Sequence, residues 1–184
     1  MRYRDTNKVQ LLNFVVLVTG SIMCLLGAVA PFWQEGEINL NYLKAHSNSS
    51  GTSDVHVIGG LWWYCYADPI TGNTCDIYPL GGEEGAIWAV RLFVFLNVLL
   101  SVFCCLTVFF RICFQGVGRT ICQGITAFVT GCCGFVVVGL FVYLFDNGYS
   151  LPLKGVVFSW VFYIYIIGCA LVTVAAGFLC LVVP

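Results

Sequence analysis

Four long apolar stretches constrain this chain more than any other feature of its sequence. They cover residues 11–32, 86–110, 121–145 and 156–183, and Arg91 is the only charged residue in them. A helix needs about 20 apolar residues to cross the hydrocarbon core of a bilayer. A backbone in lipid must satisfy its own hydrogen bonds, which favours helices. The sequence therefore predicts a multi-pass membrane protein with an all-α four-helix transmembrane bundle.

Composition excludes the main alternatives. The chain is 60% hydrophobic and 9% charged, with a net charge of −1, whereas soluble domains are about 25% charged. A binder of nucleic acid needs a basic surface, which is missing here. We expect membrane lipids as a partner, no nucleic acid, and one domain over residues 1–184. Its connections are an outer loop at 33–85, a cytosolic turn at 111–120 and a second outer loop at 146–155.

The charges are divided unequally between the two ends of the bundle, which predicts its orientation. The basic residues at the N-terminus and in the turn 111–120 are Arg2, Arg4, Lys8, Arg111 and Arg119, with Asp5 as the only acid. The opposite side has a net charge of −5. Because basic residues stay in the cytosol, we expect both termini to be cytosolic.

A secretory signal peptide is the alternative interpretation of the N-terminus. Arg2 and Arg4 precede an apolar run, and residues 28–30 (Ala-Val-Ala) have the pattern of a cleavage site. The run from 11 to 30 is, however, longer than the apolar core of about 7–15 residues in signal peptides. We therefore favour a first membrane span.

The outer loop 33–85 has the pattern of a small antiparallel β-sheet. Apolar and polar residues alternate in 38–42, and β-branched and aromatic residues are concentrated in 55–66. Turn-forming residues in 68–73 separate the two halves of a predicted hairpin. The pair Gly59 and Gly60 indicates a bulge or a close approach of two backbones.

Cysteine placement predicts one disulfide bond. Of eleven cysteines, only Cys65 and Cys75 lie in the outer loop, where a disulfide persists. Bridging them closes a short loop and stabilises the fold by roughly 2–3 kcal/mol in the chain-entropy model. The other nine cysteines lie in or beside the spans, and we expect them to pack as small apolar side chains.

Two kinds of modification are compatible with the sequence. Cys113, Cys122 and Cys180 lie near the expected cytosolic face, where reversible palmitoylation is an alternative to plain packing. Asn48 begins an Asn-Ser-Ser sequence on the expected outer side, which is an acceptor for N-glycosylation.

No arrangement of residues indicates catalysis. His46 and His56 are the only histidines and lie in the outer loop. The sequence has no nucleophile–base pair, phosphate-binding loop or metal-ligand cluster. We expect a protein that is not an enzyme, with no catalytic residues, no metal site and no cofactor.

Small and polar side chains inside the spans indicate how the helices associate. Gly20, Cys24 and Ala28 recur every four positions on the first span. In lipid, such small residues allow close helix packing. Asn97 and Gln123 offer hydrogen bonds between helices, worth about 0.6–2 kcal/mol each.

A set of residues around the outer loop forms a motif with defined order and spacing. Its members are Trp33, Gly60, Leu61, Trp62, Cys65, Cys75 and Arg91. This motif resembles the claudin family and its wider superfamily, which includes peripheral myelin proteins and stargazin-type auxiliary subunits. The resemblance implies a four-helix bundle with a small extracellular β-sheet, anchored by the tryptophans and the arginine.

Elementary physics assigns the same role to three of these residues. Trp33 and Trp62 are amphipathic rings at a membrane–water boundary, where tryptophan is favoured. Arg91 lies about five residues inside the second span, where its charge is costly unless it finds acceptors. The backbone carbonyls of the outer loop are the nearest candidates, so we expect Arg91 to join the sheet to the bundle.

The resemblance implies a junction protein of the plasma membrane, located at cell–cell contacts. Such a protein associates with itself or with related claudin-like proteins, within one membrane and across two. Such a protein forms a paracellular barrier or a path that favours cations. The loop 33–85 has a net charge of −6, and the resemblance places a selectivity residue at Asp76. The alternative is an auxiliary subunit that modulates the gating or trafficking of an ion channel or receptor.

Overall fold

The computed structural model describes residues 3–30, 32–39, 54–68, 72–77, 84–113, 120–146 and 154–182. This part of the chain forms four long helices and one sheet. The helices are α1 (Tyr3–Val29), α2 (Glu84–Cys113), α3 (Thr120–Asp146) and α4 (Trp160–Val182). The strands are β1 (Gln34–Asn39), β2 (Asp54–Gly59), β3 (Trp63–Asp68), β4 (Gly72–Ile77) and β5 (Lys154–Phe158).

All four helices are long and apolar enough to cross a membrane. Large apolar side chains remain exposed on each of them, such as Leu12, Phe95, Phe128 and Phe178. An aqueous surface of this kind would be unstable, whereas lipid accommodates it. The four-helix membrane bundle with a small antiparallel sheet, predicted from the sequence, is therefore confirmed.

The structure differs from the predicted spans at two ends. The first span was expected to run to residue 32, but α1 ends at Val29 and β1 begins at Gln34. The fourth was expected to begin at 156, but residues 154–158 form a strand and α4 begins at Trp160. Val156, Val157 and Phe158 are as apolar as a helix needs and also favour strands, so hydropathy placed them in the helix.

The sheet is antiparallel, with strand order β4-β3-β2-β1-β5. β3 and β4 pair as the predicted hairpin requires, with Asp68 opposite Gly72 at the end of the pairing. Gly72 has a φ of 81°, a conformation that glycine adopts without strain. The predicted alternation in 38–42 lies partly outside the described residues. β5 was not predicted; it pairs with β1 and connects the sheet to α4.

α1 and α4 cross with their backbones in contact. A Cβ atom added to Gly20 would lie 2.9 Å from the carbonyl oxygen of Gly168, and one added to Gly168 would lie 2.9 Å from that of Gly20. Cys24 and Ala28, the next two members of the predicted small-residue stripe, are also buried. Close packing of small residues therefore holds this helix pair together.

Hydrogen bonds between side chain and backbone join α2 to α3. The amide nitrogen of Asn97 donates to the carbonyl oxygen of Thr130 at 2.7 Å. The amide nitrogen of Gln123 donates to the carbonyl oxygen of Thr107 at 3.0 Å. Both amides thus make the contacts between helices that the sequence predicts for them.

We expect the change Gly168→Ala to lower the melting temperature of the detergent-solubilised protein. The added methyl group meets the Gly20 carbonyl and the backbone nitrogen of Cys24, neither of which can rotate away. Such overpacking costs about 1–3 kcal/mol. The matched control is Gly139→Ala, because a Cβ there meets nothing within 4 Å. Equal melting temperatures for Gly168→Ala and wild type, measured by tryptophan fluorescence, would contradict the close crossing.

Candidate functional site: the junction between sheet and bundle

Trp33 lies at the point where α1 passes into the sheet, and its polar groups connect three elements. Its backbone N–H donates to the carbonyl of Gly59 at 2.8 Å, and its carbonyl accepts from the N–H of Ser159 at 3.0 Å. Its indole Nε1 donates to the carbonyl of Gly27 at 2.6 Å. One residue therefore ties the last turn of α1 to β2 and to the start of α4.

The ring of Trp33 is completely buried in an aromatic cluster. Its centroid lies 4.8 Å from that of Phe141, 5.1 Å from Tyr165 and 5.5 Å from Phe162. Aromatic pairs at these separations contribute about 0.5–1.5 kcal/mol each beyond the burial of their area. The outer ends of α3 and α4 thus close around a residue that begins the sheet.

Trp62 and Arg91 make a second connection beside the first. The indole Nε1 of Trp62 donates to the carbonyl of Ala28 at 2.7 Å. The Nε of Arg91 donates to the carbonyl of Leu61 at 2.9 Å. The Arg91 guanidinium also lies 5.5 Å from the ring centroids of Trp62 and Trp88, within the range of a cation–π contact.

The two indole N–H groups both donate to carbonyls in the last turn of α1. Gly27 and Ala28 belong to its last turn, where carbonyl groups lack partners within the helix. Trp33 and Trp62 supply donors for these two carbonyls. Arg91 is 6% exposed, and its contact with Leu61 has the geometry that the sequence predicts.

Cys65 and Cys75 are joined by a disulfide bond across the hairpin. They are directly opposite each other in the pairing of β3 with β4. Cys75 is exposed, while Cys65 is half-buried. The bond fastens the edge strand β4 to the sheet at some distance from the Trp33 junction.

The sheet also carries a cavity of about 540 Å³, which we call the acidic concavity. It is lined by Glu35, Gly36, Glu37, His56, Gly155 and Val157. In the strand pairing, Glu37 is opposite His56 and Glu35 is opposite Val157. Gln34 and Gly36 are buried while Glu37 is exposed, so the two glutamates share the face of β1 that points away from the helices.

Sequence reasoning did not identify the acidic concavity as a site. The polar–apolar alternation of β1 is short, and the strand that completes the cavity, β5, is more than one hundred residues away in the chain. A signal was present in the spacing of Glu35 and Glu37, which places two carboxylates on one face of a strand. Their cross-strand neighbours could not be known without the pairing.

The remaining predicted site residues are scattered. Asp76 lies in β4, in register with Tyr64, and two strands separate β4 from β1. Cys122 is exposed near the start of α3, and Cys113 and Cys180 lie near the ends of α2 and α4. Asn48 lies outside the described residues. Palmitoylation and glycosylation stay predictions.

The part of the chain that the structure describes contains no cluster of side chains arranged as a metal site. Among these residues, no group of three or more His, Cys, Asp or Glu side chains is placed to hold a metal ion. Of the two histidines, His56 lies in the acidic concavity, and His46 lies outside the described residues.

The fold and the contact between sheet and bundle together define a class of protein. It is a multi-pass membrane protein whose helix bundle carries a β-sheet with one disulfide bond, attached through tryptophan and arginine side chains. The model of the PMP-22/EMP/MP20/Claudin family matches residues 7–180. The chain therefore belongs to this family of non-enzymatic membrane proteins, which confirms the resemblance seen in its motif. No curated protein matches the chain.

We expect Arg91→Gln to destabilise the attachment of the sheet. The change removes a charge-assisted hydrogen bond, which is worth about 1.5–3 kcal/mol, and both cation–π contacts. The measurement is the rate at which a protease cleaves the segment between β1 and β4 in purified protein. Lys8→Gln is the matched control, because Lys8 is an exposed cation on α1. If both variants are cleaved as slowly as wild type, Arg91 does not hold the sheet.

Proposed function

We propose that this protein is a claudin-like component of cell–cell junctions. In this proposal both termini lie in the cytosol, and the sheet faces the space between cells. The orientation rests on the basic residues near the N-terminus and in 111–120. The sheets associate side by side in one membrane and head-on between two, and together they form a barrier or a path that favours cations.

The acidic concavity is the observation that carries the preference for cations. Glu35 and Glu37 share one face of the sheet with the exposed His56, and all three side chains line the concavity of about 540 Å³. Carboxylates that line a confined aqueous path raise the local concentration of cations and repel anions. Asp76 is a second candidate, suggested by the resemblance to cation-selective claudins.

The sheet also has the geometry for association between copies. β4 and β5 are its two edge strands in the described structure, and an edge strand presents backbone groups that can pair with another chain. The attachment at Trp33 and Arg91 orients the sheet relative to the bundle. Copies in one membrane would therefore present the same face to the space between cells.

The selectivity is tested in an epithelial cell line that does not express the protein. We expect expression to raise the permeability ratio of sodium to chloride, measured as a dilution potential across the monolayer. The double change Glu35→Gln and Glu37→Gln should lower this ratio several-fold toward its background value. The matched control is the pair of changes Glu35→Asp and Glu37→Asp, which preserves both charges and should retain the selectivity.

Asp76→Asn is measured in the same cells, because it tests the second candidate separately. A loss of selectivity with Asp76→Asn alone assigns the role to the edge strand β4. An unchanged ratio in both neutralised variants, each present at the cell border, would contradict a charge-selective path in this sheet.

Localisation separates the junction role from an auxiliary role. An auxiliary subunit would use the surface of its helices, where α2 exposes Trp88, Phe95 and Phe103. For a junction protein we expect continuous staining along cell–cell contacts and strands in freeze-fracture images of transfected cells. Diffuse surface staining, together with co-purification of a large channel in mild detergent, would instead support the auxiliary role.

A further inference from the structure

We propose that Cys24 and Cys169 form a redox-sensitive cross-link inside the membrane, in which oxidation joins α1 to α4 by a disulfide bond. The two sulfur atoms are 3.7 Å apart. Cys24 is 1% exposed and Cys169 is 0% exposed. The pair is independent of the Cys65–Cys75 bond and of the proposed junction function.

The crossing of the helices holds the pair in place. Gly168 precedes Cys169 directly, and its backbone touches that of Gly20, one turn before Cys24. A disulfide requires two backbones with Cα atoms about 4.4–6.8 Å apart, and such close approach is what the two glycines permit. The two sulfurs must move about 1.6 Å closer to reach the S–S bond length of about 2.05 Å.

The surroundings of the thiols are polar enough to accommodate an intermediate. The sulfur of Cys169 and the amide nitrogen of Asn97 both lie close to Gly134. A Cβ atom added to Gly134 would overlap this sulfur and would lie 3.0 Å from this nitrogen. Asn97 Oδ1 is buried without a hydrogen-bond partner among the described residues, and the buried hydroxyl of Tyr165 lies beside the sulfur of Cys169. A sulfenic acid on Cys169 would therefore lie beside the hydroxyl of Tyr165, which can donate a hydrogen bond to it.

Other cysteines of the bundle have different neighbours. The sulfur of Cys105 lies 3.3 Å from the hydroxyl of Ser21, and that of Cys104 lies 3.9 Å from the carbonyl of Gln123. Cys122 and Cys132 are exposed on the outside of the bundle. Cys24 and Cys169, by contrast, are two free cysteines whose sulfur atoms contact each other.

The oxidant must be small and uncharged to reach a buried site inside the membrane, and hydrogen peroxide meets both conditions. One sulfur attacks a peroxide oxygen, which gives a sulfenic acid and releases one water molecule. The second sulfur then attacks the first and expels the hydroxyl group, which leaves as water with the proton of the second thiol. The two thiols lose two electrons in total, and the peroxide is reduced to two water molecules.

The cross-link would act directly beneath the junction between sheet and bundle. Tyr165, one turn before Cys169, contacts the ring of Trp33, and Ser159 at the start of α4 binds the Trp33 backbone. Joining α1 to α4 restricts their relative motion at this point. It also closes a segment with a sequence separation of 145 residues, which reduces the freedom of the unfolded chain.

The test uses the full chain in native membranes. Membranes are treated with hydrogen peroxide, free thiols are alkylated after denaturation, and the digested protein is analysed by mass spectrometry. We expect a peptide that links Cys24 to Cys169, at least several-fold more abundant than in untreated membranes and absent after reduction. Cys105→Ser is the matched control and should leave this peptide unchanged.

The decisive measurement is made on wild-type protein, so it does not depend on whether a variant folds. Complete alkylation of Cys24 and Cys169 after peroxide treatment would overturn the proposal, and so would a link from either residue to a different cysteine. A second readout is thermal unfolding in detergent. Peroxide-treated wild type should melt at a higher temperature than untreated wild type, with the Cys65–Cys75 bond intact in both samples, and Cys24→Ser should abolish this difference.

Discussion

The structure depends on one constraint: the polar backbone groups at the end of α1 must be satisfied where the chain leaves the membrane. The carbonyls of Gly27 and Ala28 have no partners within the helix, and burial without partners would cost about 1–3 kcal/mol each. The indoles of Trp33 and Trp62 supply the missing donors. Helix end and sheet thus complete each other's hydrogen bonding.

Arg91 extends this arrangement to α2. A guanidinium in a membrane helix is expensive to desolvate, yet here it donates to the backbone of Leu61 and contacts two aromatic rings. β5 connects α4 to the other side of the sheet. The sheet is therefore held by contacts with α1, α2 and α4, which sets the direction in which the acidic concavity points.

Much of this architecture could be predicted because its causes are local in the chain. Twenty apolar residues in succession predict a span whatever their neighbours are. The turn residues in 68–73 predict a hairpin. The charge of Arg91 inside a span predicts that its guanidinium donates hydrogen bonds to backbone carbonyls. Two predicted span ends, at residues 32 and 156, differ from the structure. The second was wrong because valine and phenylalanine suit both a membrane helix and a strand. Only pairing with β1 decides between them.

The sequence by itself determined the four spans, the hairpin and the cysteines available for a disulfide. It also determined that Trp33, Trp62 and Arg91, at the membrane boundary, need polar or aromatic partners. These follow from hydropathy, from turn chemistry and from the cost of burying charge. The tertiary structure decided which distant groups meet. It brought β5 beside β1 to complete the acidic concavity, and it brought Cys24 within 3.7 Å of Cys169. Such contacts depend on helix crossing and strand register, which are set by packing of the whole chain and are not encoded at any single position.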